Sequence, residues 1–231
     1  MQKKENKTIF KLEKMKLSDY AKKEEHIKIN EKINLIGTAR IKKEIELIKK
    51  YSKEDDVIVD LGCVNNYLKK FLGRKNYIGV DITGKPDIIA NVEDGLPFFK
   101  DESVDFVIAG EIIEHIVDTD FFLSEIYRIL KKGGKLLLTT PNLASWTNRM
   151  RLLLGRQPQY CENRLRLGID AGHVRCYTYS DLKKQLLEHN FKIIKFEGDL
   201  ISAKFLPLKV KMMLGKFLKT FAHCFVVLCE K

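Results

Sequence analysis

The stretch VIVDLGCVNN, residues 57–66, decides the fold of this chain. Its apolar half predicts a buried strand that ends at Asp60, and the chain then passes through Gly62 into a helical stretch over 67–72. This order of strand, glycine turn and helix is typical of α/β folds that bind a nucleotide-like ligand. A second predicted strand ends at Asp81, 19 residues after Gly62, which is the spacing expected for a carboxylate that holds ribose hydroxyls.

The position of Asp60 indicates which ligand the turn accepts. A carboxylate two residues before Gly62 would repel the pyrophosphate of a dinucleotide, because both groups are negatively charged. S-adenosylmethionine has no phosphate and carries ammonium and sulfonium charges. Residues 57–130 hold 13 acidic and 7 basic residues, and this acidic centre favours the cationic cofactor.

Short apolar strands alternate with helical stretches along the chain. Seven strands with interleaved helices predict an α/β fold with a Rossmann-like, doubly wound, seven-stranded sheet. The strands are predicted at 57–61, 77–80, 88–90, 106–109, 135–139, 191–196 and 224–228. The predicted helices include one that Thr38 caps and that ends near Tyr51, one over 121–130 that the following glycines stop, and one that begins at Thr178.

The 231 residues suffice for one such domain with additions. We expect residues 1–36 to form a helical N-terminal extension and residues 37–231 to form the domain. Residues 146–177 contain six arginines and are predicted to insert over the mouth of the active site. Residues 203–221 alternate lysine with large apolar residues, which predicts a basic amphipathic helix.

The chain resembles class I S-adenosylmethionine-dependent methyltransferases in five ordered runs: VIVDLGC, YIGVDIT, NVEDGLPFFKDESVDFVIAGEIIEHI, LSEIYRILKKGGKLLLTTPN and GHVRCYTYSDLKKQLLEHNF. The resemblance is to the group that includes ubiquinone-pathway O-methyltransferases and methyltransferase-like proteins associated with methionine biosynthesis. It implies a mostly parallel sheet whose last strand is antiparallel. It also implies ten cofactor-binding residues: Asp60, Gly62, Cys63, Asp81, Ile82, Asn91, Val92, Ala109, Gly110 and Glu111.

The turn departs from the pattern of this group, which is D-x-G-C-G-x-G. Val64 and Asn66 stand where the group has glycines, and glycine permits the positive φ and close cofactor approach that the turn requires. Asparagine adopts the left-handed conformation with little penalty, and valine is not expected to adopt it. The alternative to an enzyme is therefore a non-catalytic protein that retains the fold.

Methyl transfer from a sulfonium requires a positioned acceptor and a group that removes its proton. Glu111, Glu114 and His115 follow the fourth predicted strand, and they share one face if Glu111 opens a helix. His173 comes later, after the fifth predicted strand. We predict Glu111, His115 and His173 as catalytic residues.

The E-x-x-E-H run also resembles the metal site of small-RNA terminal 2′-O-methyltransferases. On that resemblance Glu111, Glu114, His115 and His173 would hold Mg²⁺ or Mn²⁺, which lowers the pKa of an acceptor hydroxyl. The alternative is that Glu111 borders the cofactor, Glu114 is solvated, and His115 is a general base or a structural histidine.

We expect an enzyme that methylates a hydroxyl of a small-molecule, saccharide or lipid-linked acceptor. RNA 2′-O-methylation is the alternative, because residues 131–231 hold 19 basic and 7 acidic residues. The helix over 203–221 would either pack on the sheet or make a peripheral contact with an anionic membrane. Five cysteines without a C-x-x-C pair, and no recognisable secretory leader, predict a cytoplasmic protein. The sequence leaves the oligomeric state open.

Overall fold

The computed structural model of the protein describes residues 35–161, 172–202 and 206–231. Its helices are α1 (Leu35–Tyr51), α2 (Tyr67–Leu72), α3 (Thr119–Ile129), α4 (Trp146–Leu153), α5 (Tyr179–Glu188) and α6 (Leu208–Phe217). Its strands are β1 (Ile58–Leu61), β2 (Tyr77–Asp81), β3 (Ile88–Ile89), β4 (Val104–Gly110), β5 (Leu130–Pro141), β6 (Lys192–Gly198) and β7 (Cys224–Glu230). Short 3₁₀ helices cover Val92–Asp94, Ile113–His115 and Lys219–Phe221.

All seven predicted strands are present and form one sheet in the order β3-β2-β1-β4-β5-β7-β6. β1 pairs in parallel with β2 and β4, and β4 pairs in parallel with β5. β7 runs antiparallel to β5 and β6, which confirms the mostly parallel sheet with an antiparallel last strand. β2 lies on one side of β1 and β4 on the other, so the connections that follow β1 and β4 run in opposite directions along the sheet. A crevice therefore opens at the carboxyl ends of β1 and β4.

Helices cover both faces of the sheet, as buried parallel strands require. Successive residues of β4 alternate between the two faces. Val107 and Ala109 join a core with the buried side chains of α3 and α5, and Phe106 and Ile108 join a second core with those of α1 and α2. The result is a three-layer α/β domain.

Several helix boundaries differ from the predicted ones. Thr38 lies inside α1 and does not cap it, because the helix already runs from Leu35. α3 ends at Ile129, since Leu130 has extended backbone and opens β5, so the glycines that follow are not the helix stop. The basic segment is α-helical from Leu208 only to Phe217. Most of the predicted N-terminal extension, residues 1–34, lies outside the described residues.

The basic helix α6 contacts the domain closely through one small residue. A Cβ on Gly215 would lie 2.6 Å from the Cα of Leu200, so glycine lets the two backbones approach. Met213 and Phe217 on the same helix stay exposed, by 53% and 74%. Within the described ranges, no helix has the length and apolar character needed to cross a membrane.

Candidate active site

The glycine turn lies at the crevice of the sheet. The registers of β1 with β2 and with β4 bring Gly62 beside Asp81 and Gly110. Three residues predicted to bind the cofactor from distant parts of the sequence therefore lie side by side at the carboxyl ends of three strands. This is the edge at which parallel sheets bind their ligands.

The turn keeps the backbone shape of a glycine-rich turn, although two of its residues carry side chains. Gly62 has a φ of 80°, and a Cβ there would lie 2.9 Å from Cδ1 of Ile112, so both backbone and space require glycine. Val64 has a φ of 51° and Asn66 a φ of 53°. The expectation that valine does not adopt this conformation is therefore wrong for this chain. Val64 adopts it at a cost of about 1–2 kcal/mol.

This strain predicts the effect of substitutions at Val64. Val64→Gly removes the Cβ that opposes positive φ, whereas Val64→Ala removes the same methyl groups and keeps that Cβ. Glycine relieves the strain at positive φ, but its larger conformational entropy in the unfolded chain offsets part of this gain. We expect the free energy of unfolding of the glycine variant to exceed that of the alanine variant by about 1 kcal/mol. Urea unfolding of the two variants measures the difference. An alanine variant as stable as the glycine variant would contradict the strain.

Asp81 organises the turn through its carboxylate. Val64 N donates to Oδ2 and Thr83 N donates to Oδ1, each over 2.8 Å. The Thr83 hydroxyl lies 3.3 Å from Oδ1. A carboxylate has about four acceptor positions, so these three contacts leave capacity for one more donor, such as a ligand hydroxyl.

Asp60 lies beneath the crevice, on the face of the sheet that α1 and α2 cover. The hydroxyl of Tyr77 on β2 donates to its Oδ2. Burial raises the pKa of Asp60 to about 7, although the hydrogen bond from Tyr77 acts in the opposite direction. The carboxyl group of Asp60 is thus held by a side chain of the protein itself.

The remaining residues predicted to bind the cofactor lie at or just beyond the carboxyl ends of β1, β2, β3 and β4. Asn91 Oδ1 accepts a hydrogen bond from Glu93 N over 3.1 Å and so begins the 3₁₀ helix after β3. Ile82 and Asn91 are half-buried, whereas Cys63, Val92 and Ala109 are buried. The half-buried pair therefore presents more surface to a ligand than the other three residues do.

α1 adds a polar cluster that the sequence interpretation missed. Arg40 Nη1 lies 2.5 Å from Glu44 Oε1, and the Thr139 hydroxyl donates to the same oxygen over 3.2 Å. A Cβ on Gly110 would lie 3.3 Å from Glu44 Oε1 and 3.5 Å from Arg40 Nη1, so the cluster lies against the floor of the crevice. The only signal in the sequence is an opposite-charge pair four residues apart, a spacing that is usual on exposed helix surfaces.

Glu111 faces this polar cluster. Its φ of 53° shows that it does not open a helix, which corrects the prediction, since the 3₁₀ helix begins only at Ile113. Oε2 lies 3.8 Å from Cys224 Sγ, and Oε1 is buried with no hydrogen-bond partner among the described residues. Burial raises the pKa of Glu111, while the charge of Arg40 acts to lower it.

Glu114, His115 and His173 form the other half of the site. Their donor atoms lie within 4.8 Å of one another, and the two imidazole rings meet edge to face with centroids 4.8 Å apart. Glu114 is buried rather than solvated: Oε2 accepts from the Thr140 hydroxyl over 2.9 Å, and Oε1 lies 3.9 Å from His173 Nε2. Burial, and then the charge of Glu111, raise the pKa of Glu114 to about 8. Three of the four predicted metal ligands are thus together, and Glu111 is not among them.

The insertion between β5 and α5 holds this cluster in place. His115 Nδ1 lies 3.2 Å from the carbonyl oxygen of Gly172, and His173 Nδ1 lies 3.3 Å from that of Tyr160. Backbone N–H groups at positions 174 and 175 donate to the carbonyl oxygen of Glu114. Residues 162–171 of the insertion lie outside the described residues.

Three arginines of the insertion support the backbone. Arg149 Nε donates to Ala144 O over 2.7 Å, Arg151 Nε to Gln157 O over 2.6 Å, and Arg175 Nε to Ile116 O over 3.2 Å. Arg164 and Arg166 lie outside the described residues. The three described contacts give these guanidinium groups a structural role within the protein.

Comparison with known proteins identifies the family. Residues 33–195 match the methyltransferase domain family. The human mitochondrial ubiquinone biosynthesis O-methyltransferase is 27% identical over 120 residues, which cover 43% of this chain and 32% of that protein. Phosphoethanolamine N-methyltransferase 2 of Caenorhabditis elegans is 44% identical over 50 residues, or 21% of this chain and 11% of that protein. The chain thus spans about a third or less of these curated relatives.

Solved structures share the fold at low sequence identity. An S-adenosylmethionine-dependent methyltransferase from Thermotoga maritima aligns with a TM-score of 0.61 and 21% identity, over 92% of this chain and 99% of that chain. The 1,6-didemethyltoxoflavin-N1-methyltransferase of Burkholderia thailandensis, solved with S-adenosylhomocysteine, aligns with a TM-score of 0.62 and 12% identity, over 96% and 89%. Because the family match covers most of the chain and the sheet has this topology, the chain belongs to the class I S-adenosylmethionine-dependent methyltransferase superfamily.

Proposed function

We propose that this chain binds S-adenosylmethionine in the crevice between β1 and β4 and transfers its methyl group to a hydroxyl of a small or lipid-linked acceptor. One observation carries the proposal: the turn around Gly62 and the two histidines lie at the same edge of the sheet. Ile112, which packs against Gly62, is only three residues before His115. A cofactor at the turn would therefore lie close to a group that can accept a proton.

The residues of the crevice fit a cationic cofactor. Asp81 has capacity for one ribose hydroxyl, and the buried Oε1 of Glu111 has no hydrogen-bond partner among the described residues. A positive charge beside Glu111 would compensate the burial of its carboxylate. Asn91 and Val92 would border the adenine, and Gly110 would lie under the methionine moiety, as the resemblance to the superfamily implies.

The proposed chemistry needs one proton acceptor from the protein. When bound, the cofactor would supply a methyl group on a sulfonium. The sulfur leaves as a neutral thioether, so the leaving group needs no further activation. Donation from His115 Nδ1 to Gly172 O would leave Nε2 as the basic nitrogen. In this account the acceptor hydroxyl loses its proton to that Nε2 as its oxygen attacks the methyl group. His173 is a positioning residue, because its ring holds the ring of His115 by edge-to-face contact. The carboxylate of Glu114 lies next to Nε2 of His173.

A hydroxyl acceptor is supported by two observations. Ubiquinone biosynthesis O-methyltransferases recur among the relatives. A hydroxyl also needs a base more than a neutral amine does, because the amine attacks through its lone pair and loses a proton afterwards, whereas the hydroxyl oxygen is a weak nucleophile until its proton is removed. The imidazole pair meets this need. N-methyltransferases also occur among the relatives, so the class of acceptor is part of the proposal.

The histidine cluster also allows a metal-assisted alternative, which makes a different prediction. One carboxylate and two imidazoles suit Mn²⁺ better than Mg²⁺, which prefers oxygen ligands. If His115 acts as a base, adding Mg²⁺ or Mn²⁺ leaves the methyl-transfer rate unchanged. We expect this result in a titration of either ion. Stimulation by about tenfold or more would favour the metal account.

The surface of α6 supports a lipid-linked acceptor. Met213 and Phe217 are exposed beside the exposed Lys209 and Lys216, and this combination of apolar and basic side chains binds anionic membrane surfaces. RNA as acceptor is the alternative, supported by the basic C-terminal part of the chain. In the described residues, however, three of the arginines in the insertion already donate to backbone carbonyls.

Labelled methyl transfer into fractionated cell extract tests the proposal. The full chain is incubated with methyl-labelled S-adenosylmethionine and extract, which is then separated into lipid, small-molecule, RNA and protein fractions. We expect label in the lipid or small-molecule fraction, and a loss of that label with His115→Asn. Label in RNA would support the alternative acceptor. Label in none of the fractions would contradict the enzymatic proposal.

A further inference from the structure

A second cluster of ligand-type side chains lies where β6 and β7 meet, next to the crevice. Asp199 follows β6, and His223 and Cys224 lie at the start of β7. One donor atom from each lies within 4.8 Å of the others, and all three residues are buried. His223 Nδ1 is 3.2 Å from Cys224 Sγ, and Glu111 Oε2 is 3.8 Å from the same sulfur. Tetrahedral Zn²⁺ holds such donors about 3.5 Å apart.

A carboxylate oxygen of this cluster is buried without a hydrogen-bond donor among the described residues. Asp199 is 0% exposed, and its Oδ1 accepts a hydrogen bond from Cys224 N over 2.8 Å. Its Oδ2, like Oε1 of Glu111, has no hydrogen-bond partner among the described residues. Leaving a buried carboxylate oxygen unpaired is costly, and such groups call for a missing partner. A cation bound beside Asp199 would satisfy its Oδ2.

The imidazole of His223 has the orientation of a metal ligand. Its Nδ1 faces Cys224 Sγ, and its Nε2 lies 3.3 Å from the hydroxyl of Tyr160. Metal-binding histidines usually have a hydrogen-bond partner on the second nitrogen, which fixes the tautomer and the ring.

The basic groups near the cluster have other partners. Arg40 lies 2.5 Å from Glu44 Oε1. Lys43 Nζ donates to the Gly198 carbonyl over 2.6 Å and lies 3.3 Å from Glu197 Oε2. Neither contact occupies the unpaired Oδ2 of Asp199, so this oxygen remains available to a cation.

We propose that Asp199, His223 and Cys224 bind one divalent cation of the Zn²⁺ class as its three protein ligands. Binding forms the metal–sulfur bond with release of the Cys224 thiol proton to solvent, and no oxidation is involved. The ion would join the ends of β6 and β7, and through the contact of His223 with Tyr160 it would fix the insertion. This site is separate from the proton transfer proposed for His115.

Cobalt binding tests this site, because a Co²⁺–thiolate bond gives a charge-transfer absorption that histidine and carboxylate ligands do not give. The chelator-treated full chain is titrated with Co²⁺. We expect one Co²⁺ per chain with the thiolate band, loss of the band in Cys224→Ser, and affinity lowered at least about tenfold in Asp199→Asn. Both variants are nearly isosteric, and circular dichroism establishes that they fold.

The other cysteines provide the matched control. Cys161 and Cys176 have their sulfur atoms 3.0 Å apart near His173, so they are an alternative source of thiolate. The double variant Cys161→Ser/Cys176→Ser is expected to keep the band at full intensity. Absence of the band in the unmodified chain, or its loss in the double variant with retention in Cys224→Ser, would overturn the proposal. Cobalt binding without a thiolate band, as Glu114, His115 and His173 would give, would overturn it too.

Discussion

Replacing His115 with alanine is expected to lower kcat for methyl transfer by about 10²–10⁴-fold, the usual contribution of a general base. The affinity for S-adenosylmethionine should stay within about twofold, because the proposed role of His115 concerns the acceptor proton and not cofactor binding. The measurement uses the acceptor fraction that takes up labelled methyl, with calorimetry for the cofactor.

Two variants separate a base from a structural histidine. His115→Asn can still donate to the carbonyl oxygen of Gly172 but cannot accept a proton, so we expect it to be as inactive as the alanine variant. His189→Ala removes another half-buried histidine, one that lies 3.6 Å from Asp120 and away from the crevice, and should leave kcat unchanged. Activity in His115→Asn close to that of the unmodified chain would show that the position supplies a hydrogen bond to Gly172 and not a proton acceptor.

Replacing Asp81 with alanine is expected to have the largest effect on the cofactor site. The backbone N–H groups of Val64 and Thr83 would lose their charged acceptor, which costs about 2–4 kcal/mol of unfolding free energy. The affinity for S-adenosylmethionine should fall by about 100-fold or more, since the ribose contact and the shape of the turn are lost together. Urea unfolding and calorimetry measure the two effects.

Asp87 offers a matched control for this substitution. Its carboxylate also accepts a backbone hydrogen bond, from Gly79 N over 2.8 Å, and it pairs with Lys69 at 2.7 Å, but it is exposed and lies outside the turn. Asp87→Ala should lower stability while leaving cofactor affinity within about twofold. Equal losses of affinity in the two variants would contradict a specific role for Asp81.

The strands were predictable because their signals are local. Each strand is a short apolar run bounded by polar residues, and the spacing from Gly62 to Asp81 follows from one strand–helix–strand unit. The antiparallel direction of β7 came from the resemblance to the superfamily and not from the residues of β7 themselves. Direction depends on pairing between distant segments, which periodicity does not encode.

The errors at the site concern backbone conformation and buried charge. Val64 and Glu111 both adopt positive φ, and no local pattern predicts this for a β-branched or a charged residue, because the surrounding structure imposes it. Arg40 and Glu44 have the spacing of an ion pair on an exposed helix surface, but α1 packs with both side chains against Gly110. Tertiary packing therefore decided the features that sequence reasoning missed.

Calorimetric titration of the full chain with S-adenosylmethionine tests directly whether the chain binds this cofactor. Binding requires that the strained turn at Val64 still allows the cofactor to approach the backbone. We expect saturable binding to one site per chain, weakened by Asp81→Ala and retained in His115→Ala. No detectable binding at about 1 mM cofactor, in a chain shown to be folded, would contradict it and would leave a methyltransferase fold without its cofactor.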